Sequence, residues 1–468
     1  MAAVDPATAA STGEGPIRVA VIGAGPAGFY AAAALFKQDE VDVRVDMFNR
    51  LPTPYGLVRE GVAPDHESIK AVTRVFDKTG NDPRFRFFGN VSIGDDLSVA
   101  ELKRFYHMIV YAVGAQSDRR LGIEGEDLAG SHPATIFVGW YNGHPDFADL
   151  EFDLSHERAV VIGNGNVAVD VARILVRSVD ELADTDMADH ALAALRESSV
   201  REVIMLGRRG PAQAKFTSAE LKEFGELPGV DVRVDAEQLV LDDASQALVD
   251  EERRVRRNLE ILEGFASREP SGAPRTIELR FLASPAEIIG TDGRVEAVKV
   301  ERNRLETGAD GWQRATGTGQ FEILECGLVL RSVGYRGVAV PGVPFDDKHG
   351  VIPNEQGRVT DRPGGATLPG EYAVGWIKRG PSGIIGTNKP DAVETVRHML
   401  DDVRTLDRSS VSGDPEAIVR VLDERGLRYV TFDDWKQIDA EERARGEPRG
   451  RPRSKIVRVD EMLGVCGR

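Results

Sequence analysis

Cysteine is nearly absent: the chain of 468 residues contains two, Cys326 and Cys466, far apart in sequence. That spacing excludes a disulfide framework and a CxxC redox pair. Two thiolates are also too few to hold an iron–sulfur cluster. No apolar run approaches the ~20 residues that a membrane-spanning helix requires, so no membrane insertion is expected. Basic residues are outnumbered, 59 against 76 acidic, and the net charge of −17 argues against nucleic-acid binding. Residues 1–15 are rich in Ala, Ser, Thr, Gly and Pro and carry Asp5 and Glu14 but no Arg or Lys. They read as a flexible tail, and as neither a secretory signal nor a mitochondrial transit peptide. The expectation is a cytoplasmic protein. Against these absences stands an ordinary globular balance, 41% hydrophobic and 29% charged, in a chain long enough for at least two domains.

Two strand–turn–helix–strand units organise the chain. In the first, the apolar run Ile17 to Ile22 leads into Gly23-Ala-Gly-Pro-Ala-Gly28, a helical stretch from Phe29, and a second strand from Val41 to Phe48. Gly23 permits a tight turn, Gly25 lets the backbone approach a pyrophosphate, and Gly28 lets the helix pack closely on the strand. The helix N-terminus would face the phosphates with its positive dipole end. An acidic residue is expected at the end of the second strand to bind ribose hydroxyls, but Asn49 stands there. Asn still hydrogen-bonds a hydroxyl, without the charge-assisted bond. Asp46 lies three residues earlier, and strand alternation points it to the opposite face.

The second unit runs from Arg158-Ala-Val-Val-Ile162 through Gly163-Asn-Gly-Asn-Val-Ala168 to a helix and the strand Glu202 to Leu206. That strand ends in Arg208-Arg209, where an NAD site usually places Asp or Glu. Guanidinium groups suit the 2′-phosphate of NADP. The simplest pairing of two such sites is FAD held permanently and a nicotinamide nucleotide that comes and goes. Hydride would then pass from nicotinamide C4 to flavin N5.

The apolar segments Met108 to Gly114 and Gly327 to Gly334 read as the two crossings between domains. The fold class is therefore α/β, two Rossmann-like dinucleotide-binding domains with the NADP domain inserted into the FAD domain. The expected boundaries are 1–15 tail, 16–117 FAD domain, 118–340 NADP domain and 341–468 the rest of the FAD domain. A polar insertion is expected from Ser178 to Ser199. From Leu241 to Glu325 the only cues are a charged helical run, Asp250 to Phe265, and a hairpin turn at Asp292-Gly293. Tyr372 to Trp376 reads as a strand, and Gly383 to Gly386 as the opening of a helix.

Longer motifs carry a family resemblance. Pro54-Tyr-Gly-Leu-Val-Arg-Glu-Gly-Val-Ala-Pro-Asp-His66, Gly207-Arg-Arg-Gly-Pro211, Phe216-Thr-Ser-Ala-Glu-Leu-Lys-Glu223, Gly375-Trp-Ile-Lys-Arg-Gly-Pro-Ser-Gly-Ile-Ile-Gly386 and Gly450-Arg-Pro-Arg453 resemble adrenodoxin reductase and its bacterial relatives. The resemblance covers nearly the whole chain. It implies FAD contacts at Ala27, Leu57, Ile93, Trp376, Gly383, Ile384 and Ile385, with the ribose ligand falling on Asn49. It implies NADP contacts at Asn164, Gly165, Asn166, Val167, Arg208, Arg209 and Glu220, and an active-site pair, His66 and Glu223, that positions nicotinamide or manages protons. The implied activity is NADPH oxidation with single-electron delivery to a ferredoxin.

Arg253, Arg254, Arg256 and Arg257 form the densest basic cluster. They read either as a solvated helix face balanced by Glu251 and Glu252 or as a docking patch for an acidic ferredoxin. No metal site is expected. The competing readings are a flavin diaphorase or monooxygenase, and a non-catalytic NADP(H)-binding sensor.

Overall fold

The computed structural model describes residues 15–308, 311–409 and 411–468. All but the last residue of the expected tail lies outside them. Two sheets dominate, the first parallel except for two antiparallel pairings at one edge. The first has seven strands in the order Asn354–Glu355, Arg358–Thr360, Thr367–Ala373, Met108–Tyr111, Ile17–Ile22, Val43–Asn49, Phe85–Gly89. The second has six, all parallel, in the order Ser131–Pro133, Leu328–Arg331, Arg158–Ile162, Glu202–Gly207, Arg275–Phe281, Val230–Val234. The second sheet thus draws on the middle of the chain, and the first on both ends. The chain passes between them at Ser117–Asp118 and Tyr335–Arg336, which pair as a short antiparallel ribbon.

Central strands are buried on both faces, which is why they read as unbroken apolar runs: all six residues of Ile17–Ile22 are buried. Alternate residues feed different cores. Val19, Val21, Val45 and Met47 pack with the helices on one side, while Ala20, Ile22, Phe48 and Ile109 pack on the other. The second sheet is covered by helices on one face only. On the other, Val160, Ile162, Ile204 and Leu206 pack against a three-stranded antiparallel sheet, Ala283–Thr291, Arg294–Thr307 and Gln313–Glu325.

Several sequence expectations change in detail. The insertion at 178–199 contains two short helices, Val179–Ala183 and Asp189–Arg196. The charged helical run is two helices, Asp243–Glu251 and Arg253–Ala266, separated at Glu252, which adopts an extended conformation. The turn at Asp292-Gly293 does close a hairpin, with positive φ at both residues. No helix among the described residues is long and apolar enough to cross a membrane.

Candidate active site

Both glycine turns present helix N-termini with free backbone donors. Helix Pro26–Lys37 begins after Gly25, and helix Asn166–Val176 after Gly165; neither has a side-chain cap or an acid in its first turn. Other helices of this chain satisfy those donors internally, through the capping boxes of Ser98, Ser178 and Thr431. The glycines are needed for different reasons. A Cβ on Gly23 would lie 2.5 Å from the Ala112 carbonyl, and one on Gly163 2.1 Å from the Ser332 carbonyl. At Gly25 a Cβ would meet nothing within 4 Å, so that position opens onto free space above the helix end. Such an uncapped, unobstructed cradle fits a dinucleotide pyrophosphate.

Asn49, Gly56 and Gly375 stand against the first turn. Asn49 Oδ1 accepts from the Ala24 amide at 3.2 Å, while its Nδ2 donates to the Leu51 and Thr53 carbonyls. Its donors are therefore spent on the loop, and only the second lone pair of Oδ1 is left for a ribose hydroxyl. Asp46 faces the other way, buried against Arg86 and Tyr106. The amide of Val91, two residues before Ile93, donates to the Asn49 carbonyl. Leu57 follows Gly56, whose Cβ would come 3.1 Å from Gly25 Cα. From the C-terminal third, Gly375 packs so closely on Ala27 that a Cβ would lie 2.5 Å from the Ala27 Cβ. Trp376 sits beside it, its indole N–H donating to the Ser382 carbonyl at 3.2 Å. Gly383 and the exposed Ile384 lead into a single 3₁₀ turn, Ile385–Thr387, which opens helix Asn388–Asp402.

Around the second turn, Asn164 accepts at its carbonyl from the amides of Lys215 and Phe216, and Asn166 Oδ1 accepts from the Thr217 amide. Val167, the next residue, packs partly buried on the main core. Arg208 is exposed and Arg209 half-buried. Among the described residues neither guanidinium has a hydrogen-bond or ion-pair partner. Burial, then the charge of Arg208, lowers the Arg209 pKa. Two adjacent cations without a counter-ion form a ready anion site.

The two lobes meet at His66. Its Nε2 lies 2.9 Å from Glu223 Oε2, so the pair named from sequence does touch. His66 comes from the first lobe and Glu223 from helix Ser218–Phe224 of the second. Arg173, 1% exposed, was not singled out from sequence. It binds Asp65 through Nε at 2.9 Å and Asp170 through a terminal nitrogen at 2.7 Å, and it lies 3.0 Å from Glu223. The available signal was a pair of charges, Asp170 and Arg173, inside the otherwise apolar stretch Val167 to Val176. Burial would raise the Asp65 carboxyl, but Arg173 and Arg177 outweigh it and hold its pKa at about 2. Glu220 has no such bond. Its Oε2 is buried without a hydrogen-bond partner, 3.5 Å from Arg173 and 3.8 Å from His66 Nε2. Burial, then repulsion by Asp170, pushes its pKa to about 7. Burial raises the Asp170 pKa too. Donor atoms of His66, Asp170 and Glu220 lie within 4.8 Å of one another. Asp170 approaches Nδ1 and Glu220 approaches Nε2, and Arg173 contacts both carboxylates. That arrangement suits holding and moving protons better than ligating a cation.

The cysteines take no part in this site. Both are free, and burial raises the Cys326 thiol pKa to about 12.

Residues 17–255 match the pyridine nucleotide-disulphide oxidoreductase family. The chain is 48% identical to the NADPH-ferredoxin reductase FprA of Mycobacterium tuberculosis, over 96% of this chain and 99% of that protein. It is 44% identical to the mitochondrial NADPH:adrenodoxin oxidoreductase of Salvelinus fontinalis, over 96% of this chain and 91% of that one. The solved structure of Mycobacterium tuberculosis FprA in complex with NADPH superposes with a TM-score of 0.92 at 48% identity, covering 97% of this chain and all of that one. The chain therefore belongs to the pyridine nucleotide-disulphide oxidoreductase family and, within it, to the adrenodoxin reductase type of ferredoxin–NADP reductases.

Proposed function

We propose that this protein is an FAD-dependent NADPH:ferredoxin oxidoreductase. The observation that carries the reading is the pairing of two uncapped glycine cradles across an interface bridged by His66 and Glu223. Residues 16–117 and 341–468 would form the FAD domain, and 118–340 the NADP domain. FAD would be held by Gly23, Gly25, Ala27, Gly28, Asn49, Leu57, Ile93, Trp376 and Gly383 to Ile385. Bound there, it would supply the conversion of a hydride into two single electrons. NADP(H) would be held by Asn164 to Val167, Arg208, Arg209 and Glu220. His66 and Glu223 orient the nicotinamide end, and Arg173 fixes Glu223 from behind. Anaerobic NADPH is expected to bleach the flavin spectrum of the purified protein, NADH to do so poorly, and the reduced protein to reduce a ferredoxin. A colourless protein that stays inert after FAD is supplied overturns the reading.

Glu220 makes nucleotide binding depend on pH. Its carboxyl is neutral below about 7 and anionic above. The oxidised nicotinamide ring is cationic, so NADP⁺ affinity is expected to rise as the pH passes from 6 to 8, by about a few-fold. Titrating NADP⁺ across that range checks it, and Glu220→Gln should flatten the curve. Persistence of the slope in that variant assigns it to another group. For stability the sign is opposite. The raised folded pKa favours the protonated native state, so this contribution is complete below the ordinary carboxyl value and lost as pH rises through about 7.

A ferredoxin would dock at Arg253, Arg254, Arg256 and Arg257. All four are exposed and lie within the first five residues of helix Arg253–Ala266, whose first turn has no acid. Cations at a helix N-terminus oppose the macrodipole, an arrangement that stability alone does not favour. Glu252 and Glu260 pair with Arg254 and Arg257, while Arg253 has no charged partner among the described residues. Reversing charge at Arg253 and Arg256 is expected to raise the KM for ferredoxin about ten-fold at low salt, with ferricyanide reduction unchanged. Loss of both activities would count against docking there.

A further inference from the structure

We infer that Lys215 is an additional nucleotide-binding residue, supplying a cation to the pyrophosphate at the second glycine turn. The inference rests on the NADP reading of that turn. Three features of the backbone fix where Lys215 stands. Its own amide and that of Phe216 both donate to the Asn164 carbonyl, at 2.9 and 3.1 Å. The flanking Ala214 and Phe216 carbonyls accept from Arg254, and the Thr217 amide is held by Asn166 Oδ1 at 2.8 Å. Asn164 and Asn166 are the residues on either side of Gly165, so the segment is latched to the turn itself. Among the described residues, and apart from Gly165 and its chain neighbours, the Lys215 Cβ is the sole atom within 4 Å of the place a Gly165 Cβ would occupy, at 3.9 Å.

The side chain is exposed, and among the described residues its ammonium has neither an ion-pair nor a hydrogen-bond partner. Most other cations bordering this interface are neutralised, Arg173 by Asp65 and Asp170, and Lys70 by Asp186. Lys215 therefore carries its full charge beside the uncapped end of helix Asn166–Val176, where the space above Gly165 is open. A pyrophosphate bears negative charge, and this chain as a whole is at −17. A local cation offsets that repulsion both at contact and during approach. Arg208 and Arg209 follow the second strand of the unit and serve the 2′-phosphate. Lys215 serves the group shared by NADP and NAD, so it adds affinity without selectivity.

Binding of NADP⁺ and of NAD⁺ to the holoenzyme, measured by calorimetry at low and high salt, tests the assignment in Lys215→Gln, Lys215→Arg and Arg208→Gln. Lys215→Gln is expected to weaken both nucleotides by the same factor, about three- to ten-fold at low salt and less at high salt. Lys215→Arg should restore most of the loss. Arg208→Gln should weaken NADP⁺ alone. If Lys215→Gln leaves both affinities unchanged while Arg208→Gln weakens NADP⁺, the inference is overturned and the NADP site stands. If Lys215→Gln weakens NADP⁺ alone, the pyrophosphate assignment is overturned in favour of the 2′-phosphate. If neither Lys215→Gln nor Arg208→Gln changes any affinity, the NADP reading falls with it.

Discussion

Replacing Arg208 and Arg209 together by Gln is expected to reduce the preference for NADPH over NADH by about two to four orders of magnitude, since each charged hydrogen bond contributes about 1.5–3 kcal/mol. The loop that carries them is held in place independently of its side chains. Asn303 Nδ2 donates to the Arg208 carbonyl at 2.8 Å, and the Leu282 amide donates to the Arg209 carbonyl at 3.1 Å. Gln keeps the length and polarity of the side chain but removes the charge, so the loop should survive. The effect should fall on the KM for NADPH with little change for NADH, because the 2′-phosphate alone distinguishes the two nucleotides. The melting temperature should not fall, since the substitution also removes repulsion between neighbouring cations that have no counter-ion. Steady-state kinetics with both nucleotides checks this. An unchanged ratio would place the 2′-phosphate elsewhere.

The second large effect is on stability. Glu442 is fully buried and accepts two bonds from Arg59, at 2.5 and 2.8 Å, one from Arg453 at 3.2 Å and one from the Ile456 amide at 2.9 Å. Arg59 stands in the short helix after Gly56, next to the first glycine turn, and its guanidinium lies over the Trp435 ring. Glu442→Ala strands a buried guanidinium and is expected to cost about 3–5 kcal/mol. Loss of the pair as a whole, in Arg59→Met with Glu442→Leu, should cost much less, because no uncompensated charge remains. Chemical denaturation of the two variants checks the ordering, and equal losses would mean that packing rather than charge dominates. Burial alone would raise the Glu442 carboxyl pKa, but Arg59 and Arg453 outweigh it and the net shift is downward. The stability it brings is therefore present above the ordinary carboxyl value and lost as pH falls through its lowered folded pKa.

Both glycine turns were legible because the glycines recur at fixed spacing between a strand and a helix, and because the flanking strands are buried on both faces and so carry unbroken apolar runs. The position of Arg208 and Arg209 was legible for a related reason: they directly follow one strand, Glu202–Gly207, of the unit. The region from Leu241 to Glu325 was not. Its strands Ala283–Thr291 and Arg294–Thr307 bury one face and expose the other, so charged residues interrupt them and only the Asp292-Gly293 turn announces the hairpin. The break at Glu252 was equally silent, since nothing in its neighbours forbids a continuous helix.

By itself the sequence determined two dinucleotide units and their nested order and pointed to NADP, because the glycine turns, the apolar strands, the two crossings and the Arg208-Arg209 pair are each short stretches with their own pattern. Only the tertiary structure decided what surrounds His66. Its partners Glu223, Glu220 and Asp170 come from helices remote in sequence, and Arg173 supplies the charge that holds Glu223 and Asp170 there. The pKa of Glu220 is likewise a property of burial and of neighbours brought together by folding, and such long-range proximity leaves no periodic trace along the chain.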